Sequence, residues 1–320
     1  EIMPSLVGSE MCIRDRPRRQ ACAYPYRQKM KINREWKDFE ILATGDGEKL
    51  ERWGDTVLLR PDPQVIWRAD KPLTQIRRPD ARYIRSQTGG GRWEASKPLG
   101  EWIVGWRELK FKVKPMGFKH TGLFPEQAAN WAVLIDMIKS SEKPVNVLNL
   151  FAYTGGATVA CASAGASVCH VDSARNMVER ARENMELSGL SERPVRYIVD
   201  DCKKFVRREI NRGRRYDALI MDPPSYGRGP NGELWKIEED LYDFVELCSG
   251  ALEKTPLFVL INSYTTGLQP AVLKNILTKF FGDRGGRIEA YEVCLPTDEE
   301  GIVLPCGASG LFRSDKAEKR

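Results

Sequence analysis

The sequence predicts an α/β protein: a mostly parallel, doubly wound sheet preceded by a small antiparallel β-rich domain. Three observations predict it. From residue 117 onward, short apolar runs alternate with amphipathic segments of helix length. Between residues 38 and 116 only short β-type runs occur, separated by Gly, Pro and Asp. A chain of 320 residues is also long for one domain and comfortable for two. The expected division is an extension over 1–37, a β domain over 38–116 and an α/β domain over 117–315.

Residues 1–37 read as an extension outside the fold, disordered or non-native. Pro4, Pro17 and Pro25 interrupt it, charges cluster from Arg14 to Arg19, and residues 5–16 resemble translated sequencing-adaptor sequence. It lacks the apolar stretch of a secretory signal, and Met30 offers a start. In the β domain, strands are expected at 56–60, 64–68, 92–95, 101–106 and 109–113, as a small sheet or barrel. The glycines of residues 88–92 read as a flexible turn. Five of the eight tryptophans fall here, Trp53, Trp67, Trp93, Trp102 and Trp106, four of them beside Arg52, Arg68, Arg92 or Arg107. Such interleaving can form a stacking surface for single-stranded nucleic acid. Neighbours on a strand point to opposite faces, however, so tryptophan as core and arginine as solvated rim is the favoured reading.

In the second domain, residues 145–151 form an apolar strand, followed by a Gly-rich turn and a small-residue helix over 157–164. A second strand covers 166–172. The next helix, 173–188, puts Ala174, Met177, Val178, Ala181 and Met185 on one face, and Gly189 closes it. Strands follow at 195–199 and 216–221. Ile237, Leu241, Phe244, Val245, Cys248 and Leu252 mark a long helix. A strand at 257–262, a helix at 272–281 and strands near 288–293 and 302–304 complete the pattern.

Composition narrows the function. No apolar run approaches the roughly 18 residues of a membrane span, so no membrane partner is expected. The eight cysteines include no Cys-x-x-Cys pair and look like reduced cytoplasmic thiols. With only His120 and His170, a His-rich metal centre is not expected. A net charge of +6 and a pI near 8.8 suit an anionic partner without identifying one.

In a doubly wound sheet, ligands collect at the carboxyl ends of strands near the switch in strand order. Four such ends carry chemistry. The first is the turn through Asn149, Phe151, Tyr153, Thr154, Gly155 and Gly156, where glycines permit close backbone approach and a helix N-terminus attracts an anion. The second is Asp172, able to accept both hydroxyls of a ribose. The third is Asp200-Asp201, placed to accept from an adenine amino group. Each alone reads as a turn or a helix cap; in order on consecutive strands they make an adenosine pocket. The first turn lacks G-x-G-x-x-G, which disfavours a nicotinamide cofactor. The fourth is Asp222-Pro223-Pro224-Ser225-Tyr226, whose prolines fix an extended exit without two N–H donors and leave an acceptor-rich edge.

These residues resemble the class I S-adenosylmethionine-dependent methyltransferases, and within them the bacterial methyltransferases of large-subunit ribosomal RNA. The matching stretches are residues 117–127, the Phe151–Gly156 turn, Asp172, Asp201 and Asp222-Pro-Pro. The resemblance implies a Rossmann-like class I sheet with a β-rich N-terminal domain that helps hold RNA. It implies S-adenosylmethionine as cofactor: Asn149 to Gly156 at its methionine end, Asp172 at the ribose, Asp201 or Asp200 at the adenine, and Asp222 beside the methyl. Thr121, Phe124 and Gln127 would line it from the preceding segment. Asn149 stands where many relatives carry an acidic residue.

Relatives that make 5-methylcytosine use a cysteine nucleophile. The loop after the fifth strand, residues 262–267, holds none, and Cys306 reads as a buried thiol. A nitrogen acceptor on ribosomal RNA is therefore expected. Asp222 and Ser225 would orient an amino group, Pro223 would fix the loop, and Tyr226 would stack on a flipped base. The rivals are methylation of a small molecule or protein, and a non-catalytic RNA-binding module on the same fold.

Overall fold

The computed structural model describes residues 29–86, 90–117, 119–228 and 234–315. Most of the expected extension, with Cys12 and Cys22, lies outside them, as do Thr88 and Gly89 of the expected turn, Phe118, and the end of the Asp-Pro-Pro loop from Gly229.

Strand β1 (Lys29–Ile32) is followed by β2 (Phe39–Gly45), β3 (Glu48–Trp53) and β4 (Thr56–Pro61), a short helix α1 (Leu73–Ile76), then β5 (Ala81–Arg85), β6 (Gly91–Ala95), β7 (Trp102–Trp106) and β8 (Leu109–Val113). Strands β2 to β6 form one sheet in chain order, and β7–β8 form a separate hairpin. The β-rich region is thus not one antiparallel barrel, since β4 and β5 pair in parallel through Leu58 and Ala81. The run 64–68 is not a strand. Pro61 and Pro63 flank its entry, and its carbonyls at Val65 and Trp67 instead accept from Gly47 and Asp46. Strands β2, β3 and β5 had no clear sequence signal because charged residues interrupt their apolar alternation.

Two corrections concern residues 29–37, grouped with the extension above. Lys29–Ile32 pairs in parallel with the far edge of the large sheet, and Lys31 forms an ion pair with Glu289 at 2.8 Å. Trp36 packs against Phe39, Trp106, Phe111 and Trp131, and its Nε1 donates to the Pro125 carbonyl. Four residues with two lysines give too short a pattern for sequence to reveal an edge strand.

The second half runs α2 (Ala128–Lys139), β9 (Asn146–Leu150), α3 (Gly156–Ser163), β10 (Ser167–Asp172), α4 (Arg175–Leu187), β11 (Val195–Val199), α5 (Cys202–Asn211), β12 (Ala218–Met221), β13 (Tyr226–Arg228), β14 (Leu234–Lys236), α6 (Ile237–Ser249), β15 (Phe258–Ser263), α7 (Pro270–Phe281), β16 (Gly286–Pro296) and β17 (Val303–Ser314). The large sheet has the order β1-β16-β17-β15-β12-β9-β10-β11. Strands β9, β10, β11, β12 and β15 are parallel, whereas β17 is antiparallel to β15 and β16. Chain order reverses at β9, which lies between β10 and β12, so the carboxyl ends of these strands bound the crevice where such sheets bind ligands.

The core explains the tryptophans. Trp53 and Trp106 are fully buried, and Trp67, Trp93 and Trp102 pack partly buried against the core. Arg52, Arg92 and Arg107 instead pair with Glu40, Glu94 and Glu35. The core-and-rim reading therefore holds. The same core continues through Trp131 and Leu134 of α2 to Val147 of β9, so the β-rich region and the large sheet share apolar packing. Arg60 adds a polar tie: it grips Glu51 and donates to the Lys119 carbonyl at 2.7 Å.

Candidate cofactor and acceptor site

The turn after β9 is shaped by its neighbours. Phe151 and Tyr153 adopt left-handed backbone angles, φ 53° and 49°, which side chains other than glycine adopt at a cost. Hydrogen bonds hold them there: Ala152 N donates to the Val171 carbonyl, and Tyr153 N to the Asp172 carboxylate at 2.9 Å. Thr154 Oγ1 donates to the Gly122 carbonyl, and Asn184 of α4 donates to the Thr154 carbonyl. Gly155 has φ 84°, and a Cβ on it would sit 2.7 Å from the Ala181 Cβ. A Cβ on Gly156 would come within 2.5 Å of the Trp131 ring. These glycines seat two helices against the turn, a packing demand beyond ligand access.

Asp172 ends β10 with each oxygen occupied once, by Tyr153 N and by Ala174 N at 2.8 Å. Burial raises its pKa above the ordinary value, and the two N–H donors oppose that. Its orientation is fixed while further acceptor capacity remains. Nearby, the Thr121 hydroxyl is fully buried with no partner among the described residues. It lines a pocket with Lys112, Met116, Thr154, Met177 and Arg180. Asp201 caps α5 by accepting from Lys204 N, and Asp200 pairs with Arg208. The plain capping reading is thus true of Asp201, yet it involves only one of its oxygens. The Asn149 amide donates to Thr158, whose hydroxyl meets His170 Nδ1 at 2.9 Å. That side chain is tied into the interior beneath α3, so only its backbone belongs to the turn's edge.

Across the crevice, Asp222 follows β12. Burial, with the Glu126 carboxyl nearby, pushes its pKa up to about 7, and no described residue donates a hydrogen bond to it. The exit loop is rigid. Pro223 is buried, the Pro224 carbonyl accepts from Trp235 Nε1 at 2.6 Å, and Ser225 meets the Thr265 hydroxyl at 2.6 Å. Tyr226 begins a hairpin with β14 and is 55% exposed. Phe124 bridges both sides, with ring centroids 5.7 Å from Tyr153 and 5.4 Å from Tyr264.

Sequence reasoning missed Glu126 and Tyr264. Gln127 does not stand alone, because its Nε2 donates to the Tyr264 hydroxyl at 2.7 Å. Its Oε1 accepts from Asn130 and Asn262, and Ser309 and Tyr291 complete the buried network. The Tyr264 hydroxyl, accepting from Gln127, also lies near the Glu126 carboxyl. The only sequence signal was an Asn, Gln, Ser and Tyr set in otherwise apolar elements. Cys306 is half-buried, and burial with the Glu126 carboxyl raises its thiol well above the ordinary value. It is not poised as a thiolate nucleophile.

This arrangement, acidic strand ends around a Gly-rich turn on a doubly wound sheet, defines a class I methyltransferase architecture. The chain belongs to the S-adenosylmethionine-dependent methyltransferase family, which residues 68–240 match, and its cofactor is S-adenosylmethionine. It is 35% identical over 133 residues to the ribosomal RNA large subunit methyltransferase K/L of Shewanella frigidimarina, covering 41% of this chain and 18% of that one. The protein of the same name from Methylococcus capsulatus is 35% identical over 194 residues, 59% of this chain and 24% of that one. The chain thus spans about a quarter or less of the length of these two curated relatives. Among solved structures, an S-adenosylmethionine-dependent methyltransferase from Agrobacterium tumefaciens is 31% identical with a TM-score of 0.84, covering 89% of this chain and 93% of that one. Two further structures, a methyltransferase complexed with S-adenosylhomocysteine and an S-adenosylmethionine-dependent methyltransferase from Streptococcus mutans, share the fold at 18% identity and a TM-score of 0.67, each covering 87% of this chain and 76% of that one.

The residues present fit the cofactor. The partnerless Thr121 hydroxyl, the pre-oriented Asp172 carboxylate and the conformationally costly turn each make sense beside a polar ligand.

Proposed function

We propose that this protein methylates a base of ribosomal RNA at a nitrogen atom. The observation that carries the reading is Asp222: a half-buried carboxyl at a strand end, its pKa raised by partial burial and by Glu126, without a donor among the described residues, on a loop that holds two prolines. Such a group gains most from a substrate N–H. The names of the relatives supply RNA as the acceptor class. With that substrate, the site of action is the cytoplasm.

Thr121, Phe124 and the Tyr153–Gly156 turn would hold the methionine end of the cofactor, Asp172 its ribose and Asp201 its adenine. When bound there, S-adenosylmethionine supplies a methyl group on a sulfonium, a good leaving group that needs no metal. The protein's part is positioning. Asp222 accepts a hydrogen bond from the acceptor's amino group and turns the nitrogen lone pair inward. Ser225, anchored on Thr265, fixes the loop that carries it, and exposed Tyr226 offers a stacking face for a flipped base. The raised Cys306 thiol argues against covalent activation of a ring carbon. In this division of the chain, residues 117–315 carry the chemistry and residues 38–116 flank the substrate.

Tritiated methyl transfer to purified ribosomal RNA, against an extract freed of RNA, tests the reading. Label in RNA supports it. Label only in the RNA-free extract rejects it in favour of a protein or small-molecule acceptor.

A further inference from the structure

Among several basic stretches of the chain, one is especially dense. Residues 202–216 hold seven Lys and Arg against one Glu, a surplus of six that equals the net +6 of the whole sequence. These residues form α5 and the turn that follows it. Lys203 and Arg208 are answered by Asp240 and Asp200. Arg212, Arg214 and Arg215 form a patch just past the end of α5 remote from its cap Asp201, roughly 15 Å along the helix at 1.5 Å per residue.

The patch is built around one buried carboxylate. Glu209 is fully buried, and it accepts from the Tyr216 hydroxyl, from Arg196 on edge strand β11 at 3.1 Å and from Arg212 at 3.2 Å. Arg214 stands 3.9 Å away. One counter-charge would suffice to bury one carboxylate, and here three arginines share it. Their side chains remain 42%, 57% and 56% exposed. Arg207 and Arg215, in the same segment of chain, are also exposed. Crowding like charges is unfavourable unless an anion relieves it. Guanidinium groups held in fixed orientation are suited to phosphate oxygens.

We propose that this arginine cluster is a phosphate-binding surface for the RNA substrate, separate from the methyl-transfer crevice. The inference rests on the RNA reading above. It gives the protein a second hold on the RNA, one that reads backbone charge rather than sequence and increases affinity without touching the reacting base.

The test is filter binding of protein-free large-subunit ribosomal RNA to the full chain across a potassium chloride series. Each lost phosphate contact should reduce the slope of log affinity against log salt by about 0.7–0.9. R212A/R214A should therefore lose about 1.4–1.8 from the slope and at least about tenfold in affinity at low salt, while R212K/R214K keeps most of the slope. Calorimetric affinity for S-adenosylmethionine should be unchanged in both. Should the first pair melt early, R207A/R215A, which does not touch Glu209, carries the test with the same expected loss. Wild-type slope and affinity in a folded alanine variant would overturn the cluster's role and leave the RNA reading standing. Wild-type protein without salt-sensitive RNA binding would overturn both.

Discussion

Replacing Asp222 with asparagine should make the protein more stable and nearly inactive. The carboxyl has an ordinary pKa of 3.8 and is pushed up to about 7 in the fold, first by burial and then by Glu126. At 1.36 kcal/mol per tenfold change, that displacement corresponds to about 4 kcal/mol, and relaxation around a half-buried side chain reduces the realised value to about 2–4 kcal/mol. Between about pH 4 and 7 the folded protein keeps a proton that the unfolded chain has released, so stability due to Asp222 falls as pH rises through that window and is constant above it. Asparagine is nearly isosteric with the protonated acid and removes the charge. Urea unfolding of the cofactor-free protein should show a gain of about 2–4 kcal/mol near pH 8 that shrinks to under half near pH 5. Single-turnover methyl transfer should fall by about 10²–10³, the loss typical of one positioned polar group in a dry site. Glu126→Gln, which removes the neighbouring charge, should shift the acid limb of the wild-type pH profile downward. An asparagine variant no more stable than wild type near pH 8, or with a gain independent of pH, would refute the assignment of a buried, charge-strained carboxylate.

Asp172→Ala should weaken S-adenosylmethionine binding by roughly ten- to hundredfold, the value of a charge-assisted acceptor, as measured by calorimetry on folded protein. Unchanged affinity would remove Asp172 from the pocket. Gly156→Ala drives a Cβ to 2.5 Å from the Trp131 ring, so unfolding should be easier by about 1–3 kcal/mol; a neutral result would mean that α2 can shift. Cys306→Ala should retain most activity in single-turnover assays, and a dead variant would point to covalent carbon methylation.

Much of this site was legible because its parts lie at strand ends in chain order. Asp172 ends and Asp222 follows an apolar run that forms a buried strand, and Asp201 follows the half-buried edge strand β11. The reason for the glycines was not legible, since Ala181 and Trp131 meet them only in three dimensions. Nor was the role of Gln127. Its partners Asn130, Asn262 and Tyr264, and Ser309 behind the two asparagines, come from α2, β15 and its exit, and β17, elements far apart in the chain. Asn149 shows the opposite failure, a residue assigned to the crevice by position whose side chain bonds inward to Thr158. Strand β1 escaped because edge pairing depends on the exposed flank of β16 rather than on a local apolar pattern.

The central claim is that Asp222 orients a base nitrogen of ribosomal RNA for methylation. Nucleoside mass spectrometry of ribosomal RNA incubated with S-adenosylmethionine and either wild-type protein or Asp222→Asn tests it most directly. One N-methylated nucleoside is expected with wild type and nearly none with the variant. A 5-methylpyrimidine as product, or equal yields from the two proteins, would contradict it.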